Sequence, residues 1–501
     1  MDSSNRHLEV TTDTAGSQQR FWGWSIYEKR AFWGLLVFLA IWGVLDVRKR
    51  AATSEIDFGV HKTDLTVFTG AGAVFYTDRD PYEYENPRFW KYCYLPMLAL
   101  VMAPLAALGT QDQAVIWYLL SLAFGFGCWV EGKRLYLYFK PTVGDVLNGR
   151  AVAWATIGVA ALPAINCMQR GQVGMLLAYL LMLGFRLCIE NRSLLSTAVG
   201  AIVISLAAVI KLLPALCLTV LALLWMAYQR KTHRKPAELP RVLAIPAAGG
   251  LGLVLFIFVI PGLLVGHEKN LEHLRTFHHH ITSMAVKISA ESQMETPFTP
   301  KNQSFSNAFY RFGNWADHVI MGGQDDQIVD LEPVDPDRRL AMDAQWVSVV
   351  TNLVRMAVVG LAFVLAIRSG WRKDQIAMAA VLGLSAAACL IVSPMSRGHY
   401  FMLLVPSVLL SACWLWSGSG FQGEKSGLFR QICLWAPAAL VTVHYIFLYS
   451  GAGRIGLLGL GITAWYFAVA TKMLLTPPLS TANAKGCEEA GETASEHRLA
   501  A

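Results

Sequence analysis

Apolar runs, each close to the roughly 20 residues a helix needs to cross a bilayer, recur along this chain and fix what it can fold into. They fall at 31–48, 113–131, 150–166, 172–189, 194–210, 212–228, 242–266, 346–368, 375–392, 399–416, 432–450 and 455–473. Lipid offers no hydrogen bonds to a bare backbone, so such runs become helices. With 54% hydrophobic and 15% charged residues over 501 positions, and a mean hydropathy of +0.42, a soluble domain is excluded. The expected fold is an all-α polytopic membrane protein.

The run at 94–108 is shorter and is interrupted by Pro96 and Pro104. Charge decides its treatment, because cytoplasmic loops carry the excess of Lys and Arg. Basic short loops recur at Lys133/Arg134/Lys140, Arg186/Arg192, Arg230/Lys231/Arg234/Lys235, Arg368/Arg372/Lys373 and Lys425/Arg430. These share one side with both termini only if 94–108 lies in the interface and does not cross. Residues 1–30 are then a cytoplasmic segment leading into an uncleaved first span, 31–473 the membrane domain, and 474–501 a disordered cytoplasmic tail rich in Ala, Glu and Thr. Two long loops, 49–112 and 267–345, face the other side, with short turns at Arg170 to Gln172, Lys211, and Ser393 to Gly398.

The net charge of +7 is spread over these loops and forms no stripe, which sets nucleic acid aside as a partner. Eight of the nine cysteines lie in or beside apolar runs and none forms a close Cys-x-x-Cys pair, so they read as packing residues.

The unusual polar residues collect on the non-cytoplasmic face. Asp64 follows the first span and precedes a run of small and weakly apolar residues, where a carboxylate suits a general base that takes a proton from a hydroxyl. Asp57 competes for that role, and a solvated loop aspartate is the alternative. Asp80-Pro81-Tyr82 reads as a turn or as the rim of a ligand site. Gln172, next to Gly171, either hydrogen-bonds a ligand or caps backbone groups at its turn. Lys211 lies in an apolar stretch before Pro214, where an ionisable residue is costly. It either meets an anion such as a lipid phosphate or snorkels from a helix end.

Asn302-Gln303-Ser304 and Arg311 supply hydrogen-bonding groups and one fixed cation. The segment from Ser393 to His399 combines hydroxyls, the Arg397 guanidinium and the His399 imidazole, groups suited to a leaving phosphate, with an interfacial turn as the alternative. No Gly-x-Ser-x-Gly surrounds its serines, so a serine hydrolase is rejected. His278, His279 and His280 are consecutive and do not converge on one ion as i, i+4 pairs do; no metal is expected.

In this order the motifs resemble glycosyltransferase family 87 of the GT-C superfamily, which includes polyprenyl-phosphate-mannose-dependent mannosyltransferases. Asp64 with Val67-Phe68 and Ala71 is similar to the family's Asp-x-x-Val-Tyr-x-x-Ala, and Asp80-Pro81-Tyr82 to its Asp-Pro-Tyr. Tyr94-Leu95-Pro96 with Pro104-Leu105 is similar to its Tyr-Pro-Pro helix and closing Pro-Leu. Gly171-Gln172, Lys211 before Pro214, Asn302-Gln303-Ser304 with Arg311, and Ser393-Pro394-x-Ser396-x-x-His399 continue the match. Phe68 stands for a usual tyrosine, Leu95 for a proline, Arg397 for a tryptophan and Tyr400 for a second histidine.

The resemblance implies a GT-C-type bundle of about 12 spans with juxtamembrane helices in the first outer loop. It implies inverting transfer of a sugar, with mannose expected, from a polyprenyl-phosphate donor to a lipid or glycan acceptor at the non-cytoplasmic face of a bacterial plasma membrane, without a cofactor. Asp64 is then the catalytic base. Lys211, Arg397 and His399 bind the donor phosphate, and Asp80, Tyr82, Gln172, Asn302, Gln303 and Arg311 bind sugar or acceptor. A transporter or flippase of lipid-linked sugars is the rival; it would use the same cations without a base. Paired repeats, common in transporters, are not found.

Overall fold

A computed structural model describes residues 24–56, 63–77, 79–86, 90–143, 148–190, 193–232, 239–289, 302–320, 344–417, 426–447 and 456–476. Among these residues there is no strand, only two isolated bridges, Glu85 to Lys91 and Asn302 to Arg397. Helices α1 (Ile26–Ile56), α4 (Thr110–Val143), α5 (Gly149–Arg170), α6 (Gly174–Glu190), α7 (Leu194–Ile210) and α8 (Ala215–Thr232) are joined by short connections, apart from the first-loop helices α2 (Leu65–Phe75) and α3 (Pro96–Ala106). The chain continues through α9 (Leu239–Val254), a π-turn at Leu255–Val259, α10 (Ile260–Val265), α11 (His267–Ser289), α12 (Phe305–Ile320), α13 (Ala344–Arg372) and α14 (Gln375–Val392). A 3₁₀ turn at Gly398–Leu403 leads into α15 (Leu404–Trp416), followed by α16 (Ser426–Ile446) and α17 (Leu457–Leu475).

Eight stretches among the described residues are long and apolar enough to cross a membrane: Ile26–Ala52, Thr110–Pro141, Gly149–Arg170, Val242–Val265, Val349–Arg372, Gln375–Val392, Gly398–Trp416 and Leu457–Leu475. The chain is a multi-pass membrane protein. The other four expected spans are helices as well, α6, α7, α8 and α16, with α6 and α7 at 17 residues each. The first helix starts earlier and ends later than its apolar run, and it shows Trp33, Val37, Ile41 and Leu45 outward as a lipid-facing stripe. At the centre of the bundle every side chain of α15 is buried.

Helix direction separates the charges. Arg48, near the end of α1, donates to Gln111 Oε1 at the start of α4 (3.2 Å), so both helix ends lie at the same end of the bundle and 65–106 does not cross between them. At the opposite end Arg186 bridges Glu131 of α4 and Glu190 of α6, and Arg134 meets Glu131 at 3.0 Å. There too Arg368 and Arg372 of α13 donate to the Thr476 carbonyl at 3.0 and 3.1 Å. These basic short-loop residues therefore sit away from Asp64, in keeping with the charge argument that kept 94–108 out of the membrane count.

Helices α2 and α3 have 11 residues each, about 16 Å at 1.5 Å per residue. That is half a bilayer core. They pack against each other so closely that a Cβ on Gly72 would lie 2.8 Å from the Ala103 nitrogen. Backbone cannot move aside as a side chain does, so Gly72→Ala should cost about 1–3 kcal/mol of stability through overpacking, read as a lowered unfolding midpoint in detergent.

Helix α11 lies beside this pair, with His273 against Phe75 (5.4 Å between ring centroids) and Phe277 against Tyr82 (5.9 Å). Burial lowers His273 below its ordinary 6.5, against the pull of Asp80. The unfolded chain therefore takes up the proton first as pH falls, and the associated stability is present above 6.5 and lost below it. Thermal unfolding at acidic pH should show a lower midpoint, and His273→Phe should flatten that dependence.

Candidate active site

Asp64 directly precedes α2 and is stitched to the end of α5. Its N–H donates to the Arg170 carbonyl at 2.8 Å, and the Thr63 hydroxyl donates to the same oxygen at 3.0 Å. The chain leaves α5 through Gly171, whose φ of +67° lies in the left-handed region and whose missing Cβ would sit 2.5 Å from that of Leu65. Only glycine meets both demands. That turn brings Arg170 and Gln172 together on the Asp64 carboxylate. Arg170 Nε donates to Oδ2 at 3.1 Å, its Nη2 reaches Oδ1 at 3.5 Å, and Gln172 Nε2 donates to Oδ2. Asp64 is only 5% exposed, and of its two oxygens Oδ1 has the single long contact.

Three further groups, Lys211, Arg397 and His399, come to the same region from other parts of the chain. Lys211 ends α7 in an extended conformation, with its Nζ 3.3 Å from the Tyr400 ring centroid and 5.4 Å from that of Tyr94. Aromatic faces hold an ammonium without neutralising it. Arg397 precedes the 3₁₀ turn, and among the described residues neither Lys211 nor Arg397 has an acidic partner. His399 follows, buried, and both its ring nitrogens lack a hydrogen-bond partner. Lys211, Arg170 and Arg397 all act electrostatically on its imidazole. Burial pushes the Cys93 thiol up, while Lys211 and Arg397 oppose that and Asp64 adds to it, which places these charges around one point. Asp64 is the carboxylate that acts on both Cys93 and Tyr94.

The amides of the second long loop are occupied in holding the site's frame. Asn302 Oδ1 accepts from the Ser304 and Ser396 N–H groups, each at 3.0 Å, and Gln303 N–H donates to the Ser396 carbonyl at 2.7 Å. Gln303 Oε1 accepts from Gly459 N–H at 3.4 Å. Arg311 Nη2 donates to the Asn302 carbonyl at 2.8 Å, and burial lowers its guanidinium to about 10. These three residues fasten the segment carrying Arg397 and His399 to α12 and α17. Ser393 and Ser396 spend their hydroxyls on the local carbonyls of Met395 and Leu390.

Asp80 and Tyr82 lie farther off. Asp80 Oδ1 accepts from the Tyr82 N–H at 2.9 Å, and the buried Tyr82 hydroxyl donates to the Tyr94 carbonyl at 2.9 Å. Rings of Tyr82, Tyr92 and Tyr94 then pack in sequence toward Lys211, tilted by 49° and 45°. Asp57 lies outside the described residues. Among the described residues no three His, Cys, Asp or Glu side chains gather as metal ligands.

The glycosyltransferase family 87 model matches residues 92–394, more than half of the chain. The chain belongs to that family. It is a membrane glycosyltransferase by that membership, and no curated protein and no solved structure matches it. The matched stretch contains Gln172, Lys211, Asn302, Gln303 and Arg311, whereas Asp64, Asp80, Tyr82, Arg397 and His399 fall outside it.

Sequence reasoning had no role for Arg170. A single arginine at a helix end gives the ordinary signal of a cation near the negative pole of a helix; its partner lies 106 positions away. Arg170→Met, which leaves a buried carboxylate uncompensated, should destabilise the protein by about 3–5 kcal/mol. Adding Asp64→Asn should recover much of that loss in thermal unfolding, because the double variant has no stranded charge.

Proposed function

We propose that this family 87 member transfers a sugar, mannose in the first instance, from a polyprenyl-phosphate donor to a hydroxyl of a lipid or glycan acceptor. The observation that carries the reading is a buried carboxylate that shares its surroundings with two cations lacking an acidic partner among the described residues and with an imidazole whose two nitrogens are unpaired. A transporter of the same lipid has use for the cations and none for the base.

In the reaction the acceptor oxygen attacks the anomeric carbon as its proton passes to Asp64 Oδ1. The bond from the anomeric carbon to the phosphate oxygen breaks, and the phosphate leaves with the bonding pair. Lys211, Arg397 and His399 stabilise the charge growing on it, from fixed positions in a site with little water. Arg170 and Gln172 hold Oδ2, so the carboxylate cannot rotate away from the incoming hydroxyl. Asn302, Gln303 and Arg311 serve by keeping the Arg397–His399 segment in place, and Asp80 and Tyr82 support the approach along the tyrosine rings.

The site lies at the end of the bundle opposite the basic short loops, so positive-inside orientation assigns it to the non-cytoplasmic face, the periplasmic or extracellular side of a bacterial plasma membrane. A polyprenyl chain can lie along the bilayer there while its phosphate reaches Lys211.

The test is transfer of radiolabelled mannose from polyprenyl-phosphate-mannose to a membrane-lipid extract by the purified chain. Asp64→Asn should lower turnover by about 10²–10⁴-fold with donor affinity little changed, and Lys211→Met should lower both. Equal transfer by the Asp64→Asn variant would remove Asp64 as the base, and no transfer by the native protein would overturn the reading.

A further inference from the structure

Helix α16 lies beyond the family match, and its end reaches the site. Tyr445, one residue before its last, has a buried hydroxyl with no hydrogen-bond partner. Its position is fixed by close approach, since a Cβ on Gly398 would run into that hydroxyl, which therefore lies against the backbone between Arg397 and His399. The phenol is also within electrostatic reach of Arg170 and Cys167, and Cys167 Sγ donates to the His399 carbonyl at 3.4 Å. Tyr445, His399 and Gln172 thus leave four buried polar atoms unpaired around one place: the phenol oxygen, both imidazole nitrogens and Gln172 Oε1.

Buried polar atoms are nearly always satisfied in a finished structure, and each one left bare is costly. Several gathered at one point are the imprint of a polar ligand. A phenol is a hydrogen-bond donor, Arg170 acts on it electrostatically and it lies against Gly398 beside Arg397, so the ligand atom it faces carries negative charge.

We propose that the Tyr445 hydroxyl donates a hydrogen bond to a non-bridging phosphate oxygen of the lipid-linked donor, making α16 part of the donor site. The inference rests on the transferase reading for the identity of the ligand and on the unpaired hydroxyl for its place. It gives Gly398 a reason, because any side chain there would displace the phenol.

Tyr445→Phe removes the hydroxyl and keeps the ring. Binding of farnesyl phosphate, with farnesol as the uncharged control, is measured for native and variant protein in detergent, together with thermal unfolding. The variant should unfold no earlier than the native protein, because the atom removed had no partner. Its affinity for farnesyl phosphate should fall about 10- to 100-fold, the loss of one hydrogen bond to a charged group, with farnesol binding unchanged. Unchanged affinity of the variant, with the native protein still preferring the phosphate over farnesol, would overturn the role of Tyr445 and leave the transferase reading standing. A native protein that does not discriminate the two probes would overturn both. Equal weakening toward both probes, with earlier unfolding, would make Tyr445 a packing residue.

Discussion

A buried carboxylate at the end of an apolar bundle persists only with cationic or hydrogen-bonding company, and the clasp of Arg170 and Gln172 on Asp64 is that company. An isolated ionised group in a poorly solvated site would cost several kcal/mol, and pairing offsets that cost only when the geometry is fixed. Here it is fixed through the backbone: the Arg170 carbonyl receives the Asp64 N–H and the Thr63 hydroxyl, so the strand of chain entering α2 and the end of α5 form one unit. The left-handed Gly171 is the hinge on which that unit closes. Much of the rest of the site follows from where this clasp lies.

The remaining charges are held on a different principle. Lys211 and Arg397 are not neutralised by acids among the described residues; aromatic faces take that place for Lys211, and the Asn302 bridge positions the Arg397 backbone. Cations supported in this way keep their attraction for an incoming anion. Under the proposed function this becomes a division of labour, with Arg170 committed to Asp64 and Lys211 and Arg397 left for the ligand. The loops add stiffness: Asn302, Gln303 and Arg311 tie the His399 segment across to α12 and α17 through backbone atoms.

Hydropathy makes the bundle legible from the sequence, because a lipid-spanning helix needs an apolar run of fixed length, and α1, α4, α5, α13, α14 and α17 each contain one. Pro96, Pro104 and the distribution of Lys and Arg also expose α3 as a helix outside the spans. The 11-residue α2 is less visible, since Leu65 to Phe75 is too short for a periodic pattern. Function is less legible than fold. Lys211 stands out because its surroundings are apolar, but Arg170 and Tyr445 carry no such contrast: an arginine at a helix end and a tyrosine at a membrane boundary are common for reasons of dipole and interface. The family resemblance makes Asn302 and Gln303 ligand contacts, whereas the structure turns their side-chain oxygens toward backbone N–H groups. Composition gives an amide but not the direction in which it points.

Among the described residues Asp64 is the acid that acts on Cys93 and Tyr94; with Asp64 as the proposed base the transfer is a single displacement, whereas a double displacement needs a second carboxylate about 5–5.5 Å away as nucleophile. The anomeric configuration of the product therefore tests the account most directly. Nuclear magnetic resonance of the glycoside formed from a donor of defined anomeric configuration should show inversion. Retention would require a covalent sugar–enzyme intermediate and contradict Asp64 as the sole base.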